Sequence, residues 1–145
     1  MNKFHLKIIT PEKIIFDDQV TQVILPTTDG QVGIMAGHVP YMAPLKADEL
    51  RVFAGREHDD DHEQAFAIDF GLAEFVDNHL VVLVAEAASA EMIDLDLAEQ
   101  AKARAQELMA QKVSDEDYTN ALAMLERETA KIKVASKYRL KHRVQ

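Results

Sequence analysis

The chain contains no cysteine and no long apolar segment. Without cysteine, disulfide bonds and thiolate chemistry are excluded, and nothing in the composition indicates an oxidising compartment. The longest apolar run, residues 80–85, has six residues, whereas a membrane-spanning helix needs about 20. The first 13 residues interleave charges with apolar side chains, unlike a secretory signal peptide. We therefore expect a soluble protein of the cytoplasm or of an organelle interior.

Basic residues are scarce, since 16 Lys and Arg against 25 Asp and Glu give a formal net charge of −9. A general nucleic-acid binder needs clustered Lys and Arg to contact phosphates, so we expect no nucleic-acid partner. Six basic residues and no acidic residue lie in the last 15 positions. This cationic end needs its own explanation; one is a solvated helix end that complements the helix dipole.

Phenylalanine is absent from the last 70 residues, and all six phenylalanines lie between Phe4 and Phe75. In this first part, apolar side chains recur at every second position, which predicts β-strands. The alternating segments are residues 4–8, 20–24, 66–70 and 80–84. The turns between them are too close together for a crossover helix. The pattern predicts an all-β sandwich or barrel over residues 1–90.

From Ile93 onward the apolar spacing becomes that of an α-helix. Asp96 followed by Glu99 has capping-box spacing and predicts the start of a first helix. Ser114 followed by Asp117 predicts the start of a second. The expected apolar faces are Ala98, Ala101, Ala105, Leu108 and Met109 on the first helix, and Tyr118, Leu122, Leu125, Thr129 and Ile132 on the second. The link between them is short, so residues 91–145 are predicted to form an antiparallel α-helical hairpin.

The helical hairpin has few large apolar residues, and alanine dominates its first face. Its burial of apolar surface is small compared with the entropy lost on ordering about fifty residues, so the hairpin alone would be marginal. We expect it to dock on the sandwich or on a partner. The docked and undocked arrangements should then differ by roughly a few kcal/mol.

Three of the five glycines, Gly30, Gly33 and Gly37, lie within residues 27–40, TTDGQVGIMAGHVP. The segment is not a Walker loop, because His and Val follow Gly37 where Lys and Ser or Thr are required. Gly30 is expected to supply positive φ in a hairpin turn, and the other two to allow bends or close packing. That interpretation leaves the clustering of the glycines unexplained.

The acidic segment 57–63, EHDDDHE, places His58 and His62 four residues apart among five carboxylates. On an extended chain residues four apart are separated by about 13 Å, too far to share a metal ion. We interpret the segment as a solvated hairpin tip and expect no metal site. No serine has a nucleophile-elbow context, so no catalytic set emerges. A small-ligand or metal-binding β domain with a helical dimerisation arm remains an alternative.

Taken together, the motifs resemble the epsilon subunit of the rotary F-type ATP synthase over nearly the whole chain. The resemblance rests on DGQVGI at 29–34 with Gly37-His38 and Pro40, on GLAEF at 71–75, on VVLVAEAA at 81–88 and on the hairpin that follows. It implies a sandwich of about ten strands at the foot of the central stalk, touching the gamma subunit and the c-ring. It further implies a non-catalytic subunit, without a cofactor, that couples proton flow to ATP synthesis.

The resemblance also implies a peripheral position on the cytoplasmic face of the bacterial inner membrane, or on the equivalent organelle face, without membrane insertion. The two helices would form a regulatory arm that extends towards the catalytic beta subunit and blocks ATP hydrolysis. The residues carried over for contact with the c-ring and gamma are Gly30, Gln31, Val32, Gly33 and His38. Those carried over for the inhibitory contact with beta are Lys133, Lys137, Arg139, Lys141 and Arg143.

Some members of that family bind ATP through the motif I/L-D-x-x-R-A. Here Leu95-Asp96 is followed by Glu99 where the arginine should stand, and Arg127 and Lys131 match the family's basic positions only in part. A carboxylate that faces a triphosphate is repulsive. We therefore expect weak or absent nucleotide binding by Asp96, Arg127 and Lys131.

Overall fold

The computed structural model describes the backbone of residues 2–55 and 63–143, and side chains as far as residue 140. Ten strands come first: β1 (Phe4–Ile9), β2 (Ile14–Val20), β3 (Gln22–Thr27), β4 (Gly30–Met35), β5 (Tyr41–Leu45), β6 (Asp48–Phe53), β7 (Glu63–Ile68), β8 (Gly71–Val76), β9 (His79–Val84) and β10 (Ala87–Ser89). A short 3-10 helix (Ala90–Met92) leads to α1 (Leu95–Ala110) and α2 (Asp115–Arg143). The predicted fold class, a β-sandwich followed by a helical hairpin, is confirmed. The predicted acidic tip with His58 and His62 lies outside the described residues, except for Glu63.

The strands form one sheet that folds back on itself. Their order is β10-β7-β6-β3-β5-β8-β9-β1-β2, with β4 paired to β3 off this path. Every pairing is antiparallel except that of β1 with β9. Phe16 on the edge strand β2 lies edge-on to Phe66 on β7, with ring centroids 5.9 Å apart. This contact joins the β2 edge of the sheet to β7, the neighbour of the opposite edge strand β10, and closes the sandwich.

Alternation of side chains builds the core of the sandwich. On β1 every second residue, Phe4, Leu6 and Ile8, is buried, and Phe4 packs edge-on against Phe75 of β8. The predicted alternation of residues 20–24 is wrong in phase, and that of residues 66–70 is right for Phe66 and Ile68 but not for Phe70. Thr21 separates β2 from β3 and resets the pattern, so that β3 buries Val23 and Leu25 in place of Ile24. Phe70 lies beyond the end of β7 and is exposed.

The start of α1 differs from the prediction, and the start of α2 agrees with it. The carboxylate of Asp94, two residues before the predicted N-cap Asp96, accepts a hydrogen bond from the backbone N–H of Leu97 at 3.2 Å. Asp94 has the extended backbone that an N-cap requires, whereas Asp96 already lies in the first helical turn. Ser114 Oγ accepts from the backbone N–H of Asp117 at 3.1 Å, as predicted.

The predicted apolar face of α2 is wrong at three of its five positions, whereas Leu125 and Ile132 are half-buried. Tyr118, Leu122 and Thr129 are exposed, and the buried residues of α2 are instead Ala121, Glu128, Ala130, Val134 and Ala135. On α1, Ala98 and Ala105 are buried as expected, whereas Leu108 is exposed. Small residues let α2 approach α1 and the sheet closely. Because α2 has 29 residues and α1 only 16, the C-terminal half of α2 extends past α1 and packs on β6 and β7.

Candidate functional site

The turn between β3 and β4 exposes backbone at one end of the sandwich. Gly30, Gln31 and Gly33 are exposed and Val32 is half-buried. Gly30 has φ +124°, a conformation that side-chain-bearing residues rarely adopt, so the predicted role of Gly30 is confirmed. Gly33 has no such need, because a Cβ there would lie 3.5 Å from Gln22 Nε2, an ordinary contact.

The two glycines give a matched pair of variants. We expect Gly30→Ala to lower the free energy of unfolding by about 1–3 kcal/mol, because φ stays in a disfavoured region. Gly33→Ala should change it by less than about 0.5 kcal/mol. Urea unfolding of both variants measures the difference; equal effects would contradict the turn geometry.

His38 does not lie beside this turn, which corrects the expectation that both belong to one contact. Gly30 begins β4, whereas His38 follows its end and donates its backbone N–H to Met35 O. The six residues of β4 span about 17 Å. The His38 ring packs edge-on against Tyr41 and Phe75, with centroids at 5.7 and 5.9 Å. The predicted contact residues therefore divide between opposite ends of the sandwich.

A row of apolar side chains crosses the outer surface of five strands, and sequence reasoning missed it. Register pairs Pro44 on β5 with Leu72 on β8, Leu72 with Leu83 on β9, Leu83 with Ile9 on β1, and Ile9 with Ile14 on β2. We call Pro44, Leu72, Leu83, Ile9 and Ile14 the outer apolar row. Leu72 is 38% exposed and Leu83 is 49% exposed. A contiguous exposed apolar surface makes this row a candidate interaction site.

The sequence did carry a signal for this row. The near-continuous apolar run at residues 80–85 is typical of a strand that is covered on both faces. One face of β9, with Leu80 and Val82, belongs to the core, whereas Leu83 on the other face contacts solvent. The missing cover is therefore expected from another chain.

A second surface lies where α2 meets the sheet. Its apolar part is small: Ala67 of β7 packs against Ala130 and Val134, and Ala65, Ala90 and Ile93 lie at the margin. Four cations of α2 surround this contact and pair with acids of the sandwich. The pairs are Arg127 with Asp69 and Glu86 at 3.7 and 3.8 Å, Lys131 with Glu86 at 2.8 Å, Lys133 with Asp48 at 3.0 Å, and Lys137 with Glu49 at 3.0 Å. Ion pairs thus surround the small apolar contact between α2 and the sheet.

Of the five cations carried over for the inhibitory contact, Lys133 and Lys137 face the chain's own sheet. Arg139 is exposed. The side chains of Lys141 and Arg143 lie outside the described residues. In the docked arrangement, therefore, two of the three cations whose side chains the structure describes are already engaged.

Two groups at this surface have shifted pKa values. Burial raises the pKa of the Asp48 carboxyl, but hydrogen bonds from the backbone N–H of Glu49 and from Lys133 outweigh it and hold the pKa below 3.8. Burial lowers the pKa of Lys131, but Glu86 and Glu128 outweigh it and raise the pKa above 10.5. Both groups are therefore charged at neutral pH and stabilise the docked arm in that form.

The shift of Asp48 predicts a pH dependence. A carboxyl whose pKa is lower in the folded chain contributes stability above its unfolded pKa of 3.8, and that stability is lost as pH falls through the folded pKa. We expect Asp48→Asn to lower the free energy of unfolding at pH 7 by about 0.2–1 kcal/mol, as is typical of a partly exposed pair. The difference from the unmodified chain should begin to shrink as pH falls past 3.8 and should vanish only below the lower pKa of the folded chain, when urea unfolding is repeated at successively lower pH. A difference independent of pH would contradict the ion pair.

The residues carried over for nucleotide binding are only partly brought together. Arg127 and Lys131 are adjacent on α2, whereas Asp96 is exposed on α1. A cavity of about 420 Å³ between α1, α2 and β10 is lined by Lys131 but not by Asp96. Three carboxylates also line it, those of Glu86, Asp94 and Glu128.

These carboxylates predict poor binding of a triphosphate, because Lys131 already pairs with Glu86 and Glu128. Calorimetry with MgATP should give a dissociation constant above about 1 mM. If repulsion is the cause, Glu86→Gln with Glu128→Gln should tighten binding. Micromolar affinity in the unmodified chain would contradict the prediction.

Neither a metal site nor a membrane-spanning helix is found in the described part of the chain. Within residues 2–55 and 63–140, no three side chains of His, Asp or Glu are placed to hold a metal ion. No helix in the described part of the chain is long and apolar enough to cross a bilayer.

Solved structures share the fold. One match is a chain of the Euglena gracilis mitochondrial ATP synthase, from a structure of OSCP, F1 and the c-ring in rotational state 1, with a TM-score of 0.74, 21% identity, and 88% of this chain and 78% of that one covered. Another is a chain of the central stalk and c-ring of the Tetrahymena thermophila mitochondrial ATP synthase, with a TM-score of 0.53, 14% identity, and 94% and 96% covered. At these identities the likeness supports the architecture alone.

Relatives found by sequence have higher identity to this chain than these two solved structures. The ATP synthase epsilon chain of Caldanaerobacter subterraneus subsp. tengcongensis is 35% identical over 136 residues, 93% of this chain and 95% of the relative. That of Nitratidesulfovibrio vulgaris is 36% identical over 131 residues, 90% and 93% of the two chains. The family description "ATP synthase, Delta/Epsilon chain, beta-sandwich domain" matches residues 3–90, and "ATP synthase, Delta/Epsilon chain, long alpha-helix domain" matches residues 91–136. The chain belongs to the ATP synthase delta/epsilon chain family.

Proposed function

We propose that this chain is a non-catalytic subunit of the central stalk of a rotary ATP synthase. In that position it couples proton flow through the c-ring to ATP synthesis. Residues 1–90 form the rotor-binding domain, and residues 91–145 form a regulatory arm. The single observation that carries the proposal, beside family membership, is the outer apolar row on a sandwich whose own core is complete without it.

The outer apolar row is the proposed contact with gamma. It runs across β5, β8, β9, β1 and β2, so one partner can cover it by lying along the sheet surface. Its side chains are aliphatic, so they need no hydrogen-bond partner when another chain covers them. Burial of such surface provides the main favourable term in protein association.

The turn at Gly30 to Gly33 is the proposed contact with the c-ring. Its exposed glycines let another backbone approach closely, since no side chain intervenes. His38 lies at the opposite end of β4 from this turn, and also away from the outer apolar row, because the backbone O of Pro44 in that row accepts a hydrogen bond from the backbone N–H of Thr28 beside the turn. His38 therefore stays outside both proposed contacts. Through the turn, the chain would associate peripherally with the membrane complex, on the cytoplasmic face or the equivalent organelle face.

The cationic end of α2 is the proposed contact with the catalytic beta subunit. Lys133 and Lys137 pair with the sheet when the arm is docked, so inhibition of ATP hydrolysis requires α2 to leave the sandwich. Arg139, Lys141 and Arg143 complete the cationic surface. Because the apolar contact between α2 and the sheet is small, that movement exposes little apolar surface.

Copurification with gamma tests the stalk assignment. A one-to-one complex of the full chain with gamma, formed without added metal, is the expected result. The alternative, a metal-binding β domain with a dimerisation arm, predicts no binding to gamma. It predicts instead a stoichiometric metal or a homodimer formed through the helices.

A further inference from the structure

Two lysines near the C-terminal end of α2 are held by two adjacent acids at the start of β6. Lys133 Nζ donates to Asp48 Oδ1 at 3.0 Å, and Lys137 Nζ donates to Glu49 Oε1 at 3.0 Å and to Oε2 at 3.3 Å. Lysines four residues apart lie on one face of a helix. The two pairs therefore form and break together as α2 docks and leaves.

The acids belong to β6 of the sandwich, whereas the lysines belong to α2. The Glu49 side chain is only 6% exposed, but those of Lys133 and Lys137 are 48% and 50% exposed. Arg51 lies 3.8 Å from Glu49 Oε1, and Lys46 lies 3.9 Å from Asp48 Oδ2, so both acids keep a cation of the sandwich nearby after α2 has left. The acids are thus permanent features of the surface, and the lysines can be released.

The apolar seat beneath this part of α2 is small. It consists of Ala67, Ala130 and Val134, with Ala65, Ala90 and Ile93 at its margin, and their side chains bury a small area. The lysines of both pairs are about half-exposed, so dissolved salt can screen the pairs. Docking should accordingly weaken as ionic strength rises, which a large apolar contact would not do.

We propose that Asp48 and Glu49 form an internal acidic decoy, which occupies Lys133 and Lys137 in the docked arm and competes with an acidic segment of a partner for the same two lysines. This inference rests on the proposed regulatory role of the arm and deepens it. The arm then switches by exchanging one acidic pair for another. The strength of the decoy sets the fraction of arms available to the partner.

The decoy can be tested by distance measurement on the full chain. Because the chain has no cysteine, Thr28→Cys on the sandwich and Ala123→Cys on α2 accept spin labels specifically. Removal of both acids, with Asp48→Asn and Glu49→Gln, should raise the undocked population about 2- to 30-fold at low salt, the factor expected for two partly exposed pairs. An unchanged distance distribution would overturn the decoy.

Two further variants test whether the effect comes from net charge alone and whether the acids and lysines pair directly. Glu12→Gln with Glu107→Gln makes the same change in net charge at exposed positions away from α2 docking and should leave the distances unchanged. Removal of the lysines in the same chain as the acids, with Lys133→Gln and Lys137→Gln added to Asp48→Asn and Glu49→Gln, should cause little further undocking, because the pairs are already broken. Additive undocking by the two sets of changes, with the sandwich folded by circular dichroism, would count against direct pairing.

Hydrolysis of ATP by the assembled complex separates this inference from the proposed function. The decoy predicts that Asp48→Asn with Glu49→Gln deepens inhibition, and that Lys133→Gln with Lys137→Gln relieves it. If the distances change as expected and no variant alters hydrolysis, the regulatory role fails and the decoy contact stands. If only the lysine variant alters hydrolysis and the acid variant changes neither readout, the decoy fails and the regulatory role stands.

Discussion

A chain cut after Ala130 is expected to assemble with gamma normally and to raise ATP hydrolysis by the complex about 5- to 150-fold, the range typical of a regulatory coupling. The cut removes Val134 from the seat of α2, together with Lys133, Lys137 and the rest of the cationic end. It leaves the core of the sandwich and the outer apolar row intact, because both are built from residues before the helices.

Loss of charge must be separated from loss of helix. A full-length chain with Lys133, Lys137, Arg139, Lys141 and Arg143 all changed to Gln keeps the length of α2 and should reproduce most of the increase in hydrolysis. A chain that lacks only residues 144–145 is the matched control and should behave like the full chain. Hydrolysis that stays unchanged after the cut would remove the inhibitory role of the arm.

Leu72→Glu with Leu83→Glu is expected to weaken binding to gamma by more than about 100-fold without unfolding the sandwich. The two leucines are paired across β8 and β9 and are exposed in the free chain, so carboxylates there remain solvated until the partner covers them. Burial of two unpaired charges in an apolar contact is strongly unfavourable. Titration of gamma with the variant, followed by calorimetry, measures the loss.

The control for this variant uses the same chemistry on another surface. Leu108 and Leu122 are exposed leucines on α1 and α2, and their change to Glu adds the same charge. Binding to gamma should be unaffected by that control. Equal loss in both variants would indicate a general effect of charge, and no loss in the first would exclude the outer apolar row as the contact.

The sequence predicted the type and order of the elements better than it predicted which face of each element is buried. Alternation and helical spacing give the type of each element, because those periods follow from local geometry. Phase depends on where each element begins, and a single residue such as Thr21 shifts it. For α2 the large side chains of Tyr118 and Leu122 suggested the buried face, but the close approach to α1 and the sheet selected alanines instead.

The candidate surfaces could not be predicted from the sequence, because they join residues that are far apart along the chain. The outer apolar row joins residues from five strands, and only the register shows that they are neighbours. Gly30 and His38 are near in sequence but lie at opposite ends of β4. The ion pairs between α2 and β6 join residues more than 80 positions apart, which no local pattern of one sequence contains.

Oxidative footprinting of the methionines tests the central claim most directly, that the outer face of the sandwich binds the stalk. Met42 lies beside the outer apolar row and is 60% exposed, whereas Met92, near the arm, is 57% exposed and serves as an internal reference. In the complex with gamma, oxidation of Met42 should fall sharply while that of Met92 persists. If Met42 is oxidised as readily in the complex as in the free chain, the outer face is not the stalk contact and the account is wrong.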